Sequence, residues 1–254
     1  MPTSIHPTAI VEPGAQLGAD CEIHAFAIVK RGAILGDRVV VHPFAVLAGD
    51  PQDLKFKPGT KSGARIGSGT KIREYVTVNC ATDAGNFTVV GENCLLMAGC
   101  HVAHDCVVGN EVVVANDVLL AGHVQVGDYA ILGGGAGFHQ FMRIGEGVIV
   151  SGGARCSRDL PPFVMAAERD EIAGLNFVGL RRRGVVGEAA AQLKEAYRTV
   201  YTTTGNIREV AKAALDSGKY TAPEGRRFLE FFAGGTRGFA RTRRTQSAEE
   251  NEAG

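Results

Sequence analysis

Residues 96–126, LMAGCHVAHDCVVGNEVVVANDVLLAGHVQV, carry an aliphatic side chain at every sixth position: Leu96, Val102, Val108, Val114, Leu120 and Val126. Four residues after each comes a second, mostly smaller residue, Cys100, Cys106, Val112, Val118 and Val124 among them. A period of six matches neither the 3.6 of an amphipathic helix nor the two of a half-buried strand. The same clock extends outward. It starts at Val90 and continues past Val126 through Leu132, Phe138 and Ile144 to Val150. Earlier it runs from Ile5 in unbroken steps of six to Leu47, and briefly through Ile66, Ile72 and Val78. Self-similarity at a fixed period is the mark of a solenoid, in which each unit buries its apolar face only by stacking on the next.

This hexapeptide pattern resembles that of left-handed parallel β-helices, where three hexapeptides make one triangular coil of 18 residues and coils stack about 4.8 Å apart. The fold expected is therefore all-β over residues 1–160, followed by a small C-terminal α-helical domain over 161–241. Two stops in the clock, GDPQDLKFKPGTKSG at 50–64 and NCATDAGNFT at 79–88, predict loops inserted into the solenoid. Such loops tend to lie on one face and to carry binding. After Asp159-Leu160-Pro161-Pro162 the period changes: Leu193, Ala196, Tyr197, Val200 and Tyr201 follow helical spacing, and two further short helices fall at about 206–217 and 223–233. Residues 242–254, rich in Arg, Thr, Ser and Glu, read as a disordered tail.

Composition narrows the function. The 254 residues balance 27 basic against 27 acidic side chains, so nucleic acid is a poor main partner. No apolar run of about 18 residues could span a bilayer. The first residues, MPTSIHPTAIVEPG, lack the basic start and apolar stretch of a secretory signal, which places the protein in the cytoplasm and makes disulfides unexpected. Cys21, Cys94, Cys100 and Cys106 fall on the inward small-residue beat and are expected as core filler, whereas Cys80 and Cys156 lie off it.

A coil of 18 converts sequence distance into neighbourhood. His104, Gly122 and Gln140 form one column, with His123 and His139 one residue to either side of it. His101 heads a second column through Leu119 and Gly137. Imidazoles thus gather along one corner beside Asp105. The separation of His101 and His104 is wrong for the metal-dependent carbonic anhydrases built on similar repeats, and a zinc-protease pair would need a helix, so no metal and no cofactor are expected. An imidazole that titrates near neutrality suits general base catalysis, taking a proton from a hydroxyl as it attacks an ester or thioester. A backbone N–H near Gly122 suits the developing oxyanion. A metal-dependent enzyme and a non-catalytic scaffold are the competing classes.

Taken together, HVAHDC (101–106), LAGHV (120–124), FHQF (138–141), PQDLKF (51–56), GLRRRG (179–184) and FF....TRG (231–238) resemble the UDP-N-acetylglucosamine O-acyltransferases of lipid A biosynthesis, in the same order from the N-terminus to about Arg241. The resemblance implies a homotrimer that moves a 3-hydroxyacyl chain from acyl carrier protein to the 3-hydroxyl of a UDP-sugar. By the same resemblance His104 is the general base, Asp105 its partner and Gly122 the oxyanion donor. Gln52, Asp53, Lys55, His101, His123, His139 and Gln140 match positions lining the sugar-phosphate and acyl pocket. Asn176, Arg182 and Arg183 match nucleotide-binding positions, and Ile149 and Gly152 match the acyl-chain ruler, where a glycine implies a long chain. The chain departs from the pattern at Asn79-Cys80-Ala81-Thr82, at Val178 and over 166–176, and has one 18-residue coil fewer before PQDLKF. The alternative within this chemistry is N-acylation of a related UDP-amino sugar.

Overall fold

The computed structural model describes residues 2–242. Strands of mostly two residues stack into three sheets of eleven, eight and seven strands, each sheet taking every third strand along most of the chain. The faces begin at Ser4–Ile5, Ile10–Val11 and Gln16–Leu17. Within the helix of strands all pairing is parallel, as in Ile10 with Ile28 and Leu119 with Gly137. The architecture is a left-handed parallel β-helix with helices at its C-terminal end.

The aliphatic beat fills the lumen. Leu47, Ile72, Leu96, Leu120 and Leu132 are fully buried, and the second beat (Ala27, Cys100, Val118, Ala136) is buried beside them. Each large aliphatic removed from water contributes about 1.5–3 kcal/mol. Ile5 is 48% exposed whereas Ile23, one coil on, is 2% exposed, because among the described residues no coil covers the outer side of the first. All six cysteines are buried and free. Three of them, Cys21, Cys94 and Cys106, reach carbonyls of the next coil at Gly36, Gly109 and Ala121. Cys156, which pairs in register with Phe138, continues the aliphatic beat. Burial pushes the Cys100, Cys106 and Cys156 thiols up to about 12.

The interruptions alter the register without breaking the stack. Most coil-to-coil bonds span 18 residues, as from Ala19 to Asp37, but Asp37 meets Ser68 across 31 and Cys94 meets Thr70 across 24. The extra residues leave between the second and third faces. Strands Val46–Gly49 and Gly63–Ile66 bound the first connection, which is 50–62 rather than 50–64 because Gly63 and Ala64 are already paired with Phe87 and Thr88. Asn79 and Phe87–Thr88 likewise belong to strands, so the second connection is 80–86 rather than 79–88.

Strand structure also persists past residue 160. Val164–Ala167 pairs parallel with Ile149–Val150 and turns back antiparallel through Glu171–Leu175, so the segment 161–241 opens in sheet rather than helix. The helices are α1 (Phe177–Arg182), α2 (Gly187–Thr202), α3 (Ile207–Asp216) and α4 (Pro223–Glu230). Leu193, Ala196 and Val200 of α2 and Phe228 and Leu229 of α4 are buried in their common core. Thr242, first residue of the expected tail, ends a strand with Arg241; residues 243–254 lie outside the described residues. Among the described residues no helix is long and apolar enough to cross a membrane.

One buried ion pair ties the helices to the solenoid. Asp159, fully buried, accepts from Arg143 Nε at 2.8 Å and from Arg143 N at 2.9 Å. Arg143 Nη2 then reaches the carbonyls of Phe231 and Gly234, and the guanidinium lies 4.1 Å from the Phe231 ring centroid. Removing one partner strands the other charge, which typically costs about 3–5 kcal/mol. Asp159→Ala is expected to lower unfolding stability by about that amount in denaturant melts at fixed protein concentration; a loss below ~1 kcal/mol would show the pair to be dispensable.

Candidate active site

His101–Val102 is a strand of the second face and Val107–Val108 one of the third, so His104 and Asp105 form the corner between them. Both inserted connections leave from this same corner, in the two coils before it. The turn geometry requires one residue in the left-handed region. Asp105 (φ 58°) takes that position, followed in the next coils by His123 (φ 62°) and Phe141 (φ 65°). Other corners place Phe26, Phe44, Tyr75 and Tyr129 in the same conformation, so the strain belongs to the repeat.

His104 is 7% exposed, and its Nδ1 lies 2.9 Å from Asp105 Oδ2. Thr82, from the second connection, holds the same carboxylate: its hydroxyl donates to Oδ2 at 2.7 Å and its N–H faces both oxygens at 3.2 and 3.3 Å. Thr88 Oγ1 accepts from Asp105 N at 2.8 Å. Burial alone would raise the Asp105 carboxyl, but hydrogen bonds from His104 and Thr82 and the nearby His123 outweigh it and hold the group below the ordinary carboxylate range. Thr82 carried no signal of its own in the sequence; only the corner geometry reveals it.

The other edge of the His104 ring rests on Gly122. A Cβ built there would lie 2.4 Å from His104 Cε1 and 2.6 Å from Nε2, so no larger residue fits. The neighbouring N–H groups of Ala121 and His123 donate to Phe138 and His104 carbonyls. Gly122 N–H has no such acceptor among the described residues.

A groove of about 1020 Å³ runs along the second face from this corner, lined by Gln52, Thr77, His101, His104, Leu119, Gly122, Gly137, His139, Gln140, Arg155 and Arg169 among others. His101 Nδ1 and Thr77 Oγ1 are 2.7 Å apart. Burial, then the nearby His104, lowers the His101 ring below the usual histidine value. His123 lies outside the groove lining: it stacks on Phe141 with centroids 4.6 Å apart and meets His104 edge-on at 5.2 Å. His104, Asp105 and His123 offer donor atoms within 4.8 Å of one another, a set that could hold a metal ion. Asp105 Oδ2 already serves His104 and Thr82, so a metal would have to break the bonds that fix the imidazole.

The remaining residues singled out in the sequence are dispersed within one chain. Asp53 Oδ1 accepts from Lys55 N at 2.8 Å in the first connection, and of this trio only Gln52 lines the groove. Asn176 is buried and occupied: its Oδ1 caps α1 through Gly179 N at 2.9 Å and its Nδ2 donates to Gly147 O at 3.0 Å. Its amide thus caps α1 and ties it to the solenoid. Arg182 is exposed, while Arg183 packs over Tyr129 at 5.0 Å and against Gly147, on the corner between the third and first faces. Ile149 lies on the first face, and Gly152 on the corner beyond it, its missing Cβ facing Gly134 O. Neither Ile149 nor Gly152 lines the groove; Arg155 does, at the same coil.

Comparison with known proteins agrees with this arrangement. Residues 159–240 match the family model described as UDP N-acetylglucosamine O-acyltransferase, domain 2, and residues 14–49 and 87–122 match the bacterial transferase hexapeptide model. The acyl-[acyl-carrier-protein]–UDP-N-acetylglucosamine O-acyltransferase of Campylobacter jejuni subsp. doylei is 44% identical over 233 residues, covering 84% of this chain and 88% of its own. Solved UDP-N-acetylglucosamine acyltransferases from Bacteroides fragilis (36% identity, TM-score 0.83, 94% of this chain and 100% of that one) and Moraxella catarrhalis (32%, 0.85, 93% and 99%) share the fold. With this identity over most of both chains, and with His104, Asp105 and Gly122 set on one corner, the chain belongs to the family of acyl-[acyl-carrier-protein]–UDP-N-acetylglucosamine O-acyltransferases.

Proposed function

We propose that the protein transfers a 3-hydroxyacyl group from acyl carrier protein to the 3-hydroxyl of UDP-N-acetylglucosamine, the first step of lipid A synthesis, with His104 as general base. The observation that carries this reading is the orientation of one ring: His104 Nδ1 faces Asp105 at 2.9 Å, which leaves Nε2 beside Gly122 at the groove. A carboxylate on Nδ1 favours the tautomer with its proton there, so Nε2 is free to accept one.

The steps then follow in order. The sugar hydroxyl gives its proton to Nε2 while its oxygen bonds to the thioester carbon, and Asp105 stabilises the imidazolium that forms. The carbonyl oxygen becomes an oxyanion, which Gly122 N–H is placed to receive. On collapse the C–S bond breaks, the ester carbonyl re-forms, and the imidazolium returns its proton to the departing thiolate. His101, held neutral by burial, Gln52, His139 and Gln140 line the path of the substrates. Asp53, Lys55 and His123 stand around the same corner as further sugar-phosphate contacts.

Arg182 and Arg183 lie on a different corner of the prism. We infer a homotrimer in which the neighbouring subunit brings that corner toward the His104 groove, where guanidinium forks suit a diphosphate. The arginines of the helical region also suit an acidic carrier protein. The absence of a membrane-spanning helix among the described residues is compatible with the cytoplasmic location proposed.

His104→Ala is expected to lower kcat by about 10²- to 10⁴-fold with native thermal stability, since the ring lies outside the aliphatic core; near-normal kcat would remove His104 from this role. Asp105→Asn should keep the fold yet lose most of the activity. UDP-N-acetylglucosamine should be acylated in preference to its 3-amino analogue, the reverse preference marking an N-acyltransferase. Light scattering at assay concentration should give three chains per particle; a fully active monomer would exclude the shared site.

A further inference from the structure

The second inserted connection and the strand end before it grip the first connection at both of its ends. Where the first connection leaves the wall, Cys80 N donates to Gly49 O at 2.8 Å, and the buried Asn79 donates through Nδ2 to Asp50 O at 3.0 Å. Where it returns, Gly85 N donates to Lys61 O at 2.9 Å and Ala81 N to Gly63 O at 3.1 Å. Between these anchors the first connection brings Gln52 to the groove, followed in the chain by Asp53 and Lys55.

One contact in this seam differs from the rest. Ser62 Oγ donates to the Ala81 carbonyl at 2.5 Å, and the N–H of the very next residue, Thr82, faces the two Asp105 carboxylate oxygens at 3.2 and 3.3 Å. That carbonyl and that N–H belong to a single peptide unit, which is planar and rigid. A donor on one end therefore fixes the plane whose other end meets the carboxylate. The bonds also reinforce one another, because drawing electron density toward the Ala81 oxygen makes the Thr82 N–H a stronger donor. The Thr82 hydroxyl completes the hold at 2.7 Å from Oδ2, the same oxygen that faces His104 Nδ1. Closing the loops does not need either hydroxyl, since the backbone bonds at Gly49, Lys61 and Gly63 remain without them. What the hydroxyls add is direction: a carboxylate free to turn about its own side-chain bonds offers the imidazole a shifting partner, and charge-assisted bonds are the strong ones with which to stop it.

We propose that Ser62 and Thr82 are positioning residues for the transfer reaction: Thr82 holds Asp105 on His104 directly, and Ser62 acts through the peptide between Ala81 and Thr82, tying that hold to the connection that carries Gln52. The proposal rests on the acyl-transfer reading above. Neither residue touches the imidazole, so their effect is on the turnover of bound substrate rather than on its binding. The two hydroxyls secure the carboxylate in parallel, one directly and one through the peptide, and each partly covers for loss of the other.

The test is steady-state kinetics on the full-length protein with UDP-N-acetylglucosamine and 3-hydroxyacyl carrier protein thioesters, comparing wild type with Thr82→Val, Thr82→Ser, Ser62→Ala and the Ser62→Ala/Thr82→Val double variant and following melting temperature in parallel. Thr82→Val keeps the shape and loses the donor; its kcat should fall roughly tenfold, as for a lost hydrogen bond to a charged group, with KM for the sugar within about twofold of wild type. Thr82→Ser restores the donor and should recover most of that loss. Ser62→Ala should lower kcat by about threefold, and the double variant should fall below the product of the single effects. Losses that simply multiply remove Ser62 from this role. A Thr82→Val kcat within about twofold of wild type, or a change confined to KM, overturns the proposal while leaving acyl transfer standing. If Thr82→Val melts below the assay temperature, Ser62→Ala decides by the same division between kcat and KM. No product from the wild-type protein with any donor overturns the acyl-transfer reading and this proposal with it.

Discussion

Backbone hydrogen bonds between successive coils govern everything else in this molecule. On the second face Thr77 N donates to Cys100 O at 3.1 Å, His101 N to Val118 O at 2.9 Å, Leu119 N to Ala136 O at 2.9 Å and Gly137 N to Ala154 O at 2.9 Å. For every coil to make these bonds, each must have the same perimeter, and extra residues have to leave the wall as loops. Parallel stacking also aligns equivalent side chains. It therefore builds ladders: Phe26, Phe44 and Tyr75 stack outside with centroids 5.2 and 5.1 Å apart, and leucines and valines stack inside.

The site exploits that alignment. His104, Asp105 and Gly122 are placed by two consecutive turns of one corner, so their separations are fixed by the ladder rather than by flexible loops. The loop residue that touches this pair, Thr82, is anchored to Asp105 by three contacts. Preorganisation of this kind puts the electrostatic partner of the imidazole in place before substrate arrives. The hydrogen bonds to Asp105 outweigh its burial and hold its carboxyl below the ordinary carboxylate range, which favours the ionised form that His104 faces. Since the folded carboxyl titrates below its unfolded value, the stability it contributes is present above the ordinary carboxylate range and is lost as pH falls through the lowered one.

Inward positions were readable from the chain alone because the lumen repeats: a residue that must fill the same cross-section every 18 residues leaves a period. The columns through His101 and His104 followed from that period as well. Outward positions obey no such constraint. The period carries the His101 column on to Arg155, but nothing periodic marks Asn176 as a helix cap or Asp170 as the acceptor that gathers Ser157 and Arg158. The loop limits shifted by a few residues for a related reason. Gly63 and Ala64 lie before the beat resumes at Ile66, yet pair with Phe87 and Thr88 because the backbone ladder closes wherever two coils run in register, with or without an aliphatic side chain. Strand Val164–Ala167 was hidden because it leaves the six-residue beat while still adding a rung to the sheet.

The three corners of the prism carry different chemistry, and that division has a consequence for the reaction. The corner between the second and third faces bears His104 and Asp105; that between the third and first bears Tyr129, Gly147 and the packed Arg183; that between the first and second bears the aromatic ladder. His104 is almost fully enclosed, but Leu119 along the same groove is more than half exposed, so one chain shelters the imidazole without sheltering a substrate chain. Acyl transfer to a sugar hydroxyl competes with transfer to water, and an open groove would favour hydrolysis. A wall from outside the single chain is what the chemistry lacks. In the homotrimer proposed above, a neighbouring copy packed against this groove supplies it by presenting a different corner to His104, uniting residues that the 18-residue register keeps apart within each chain.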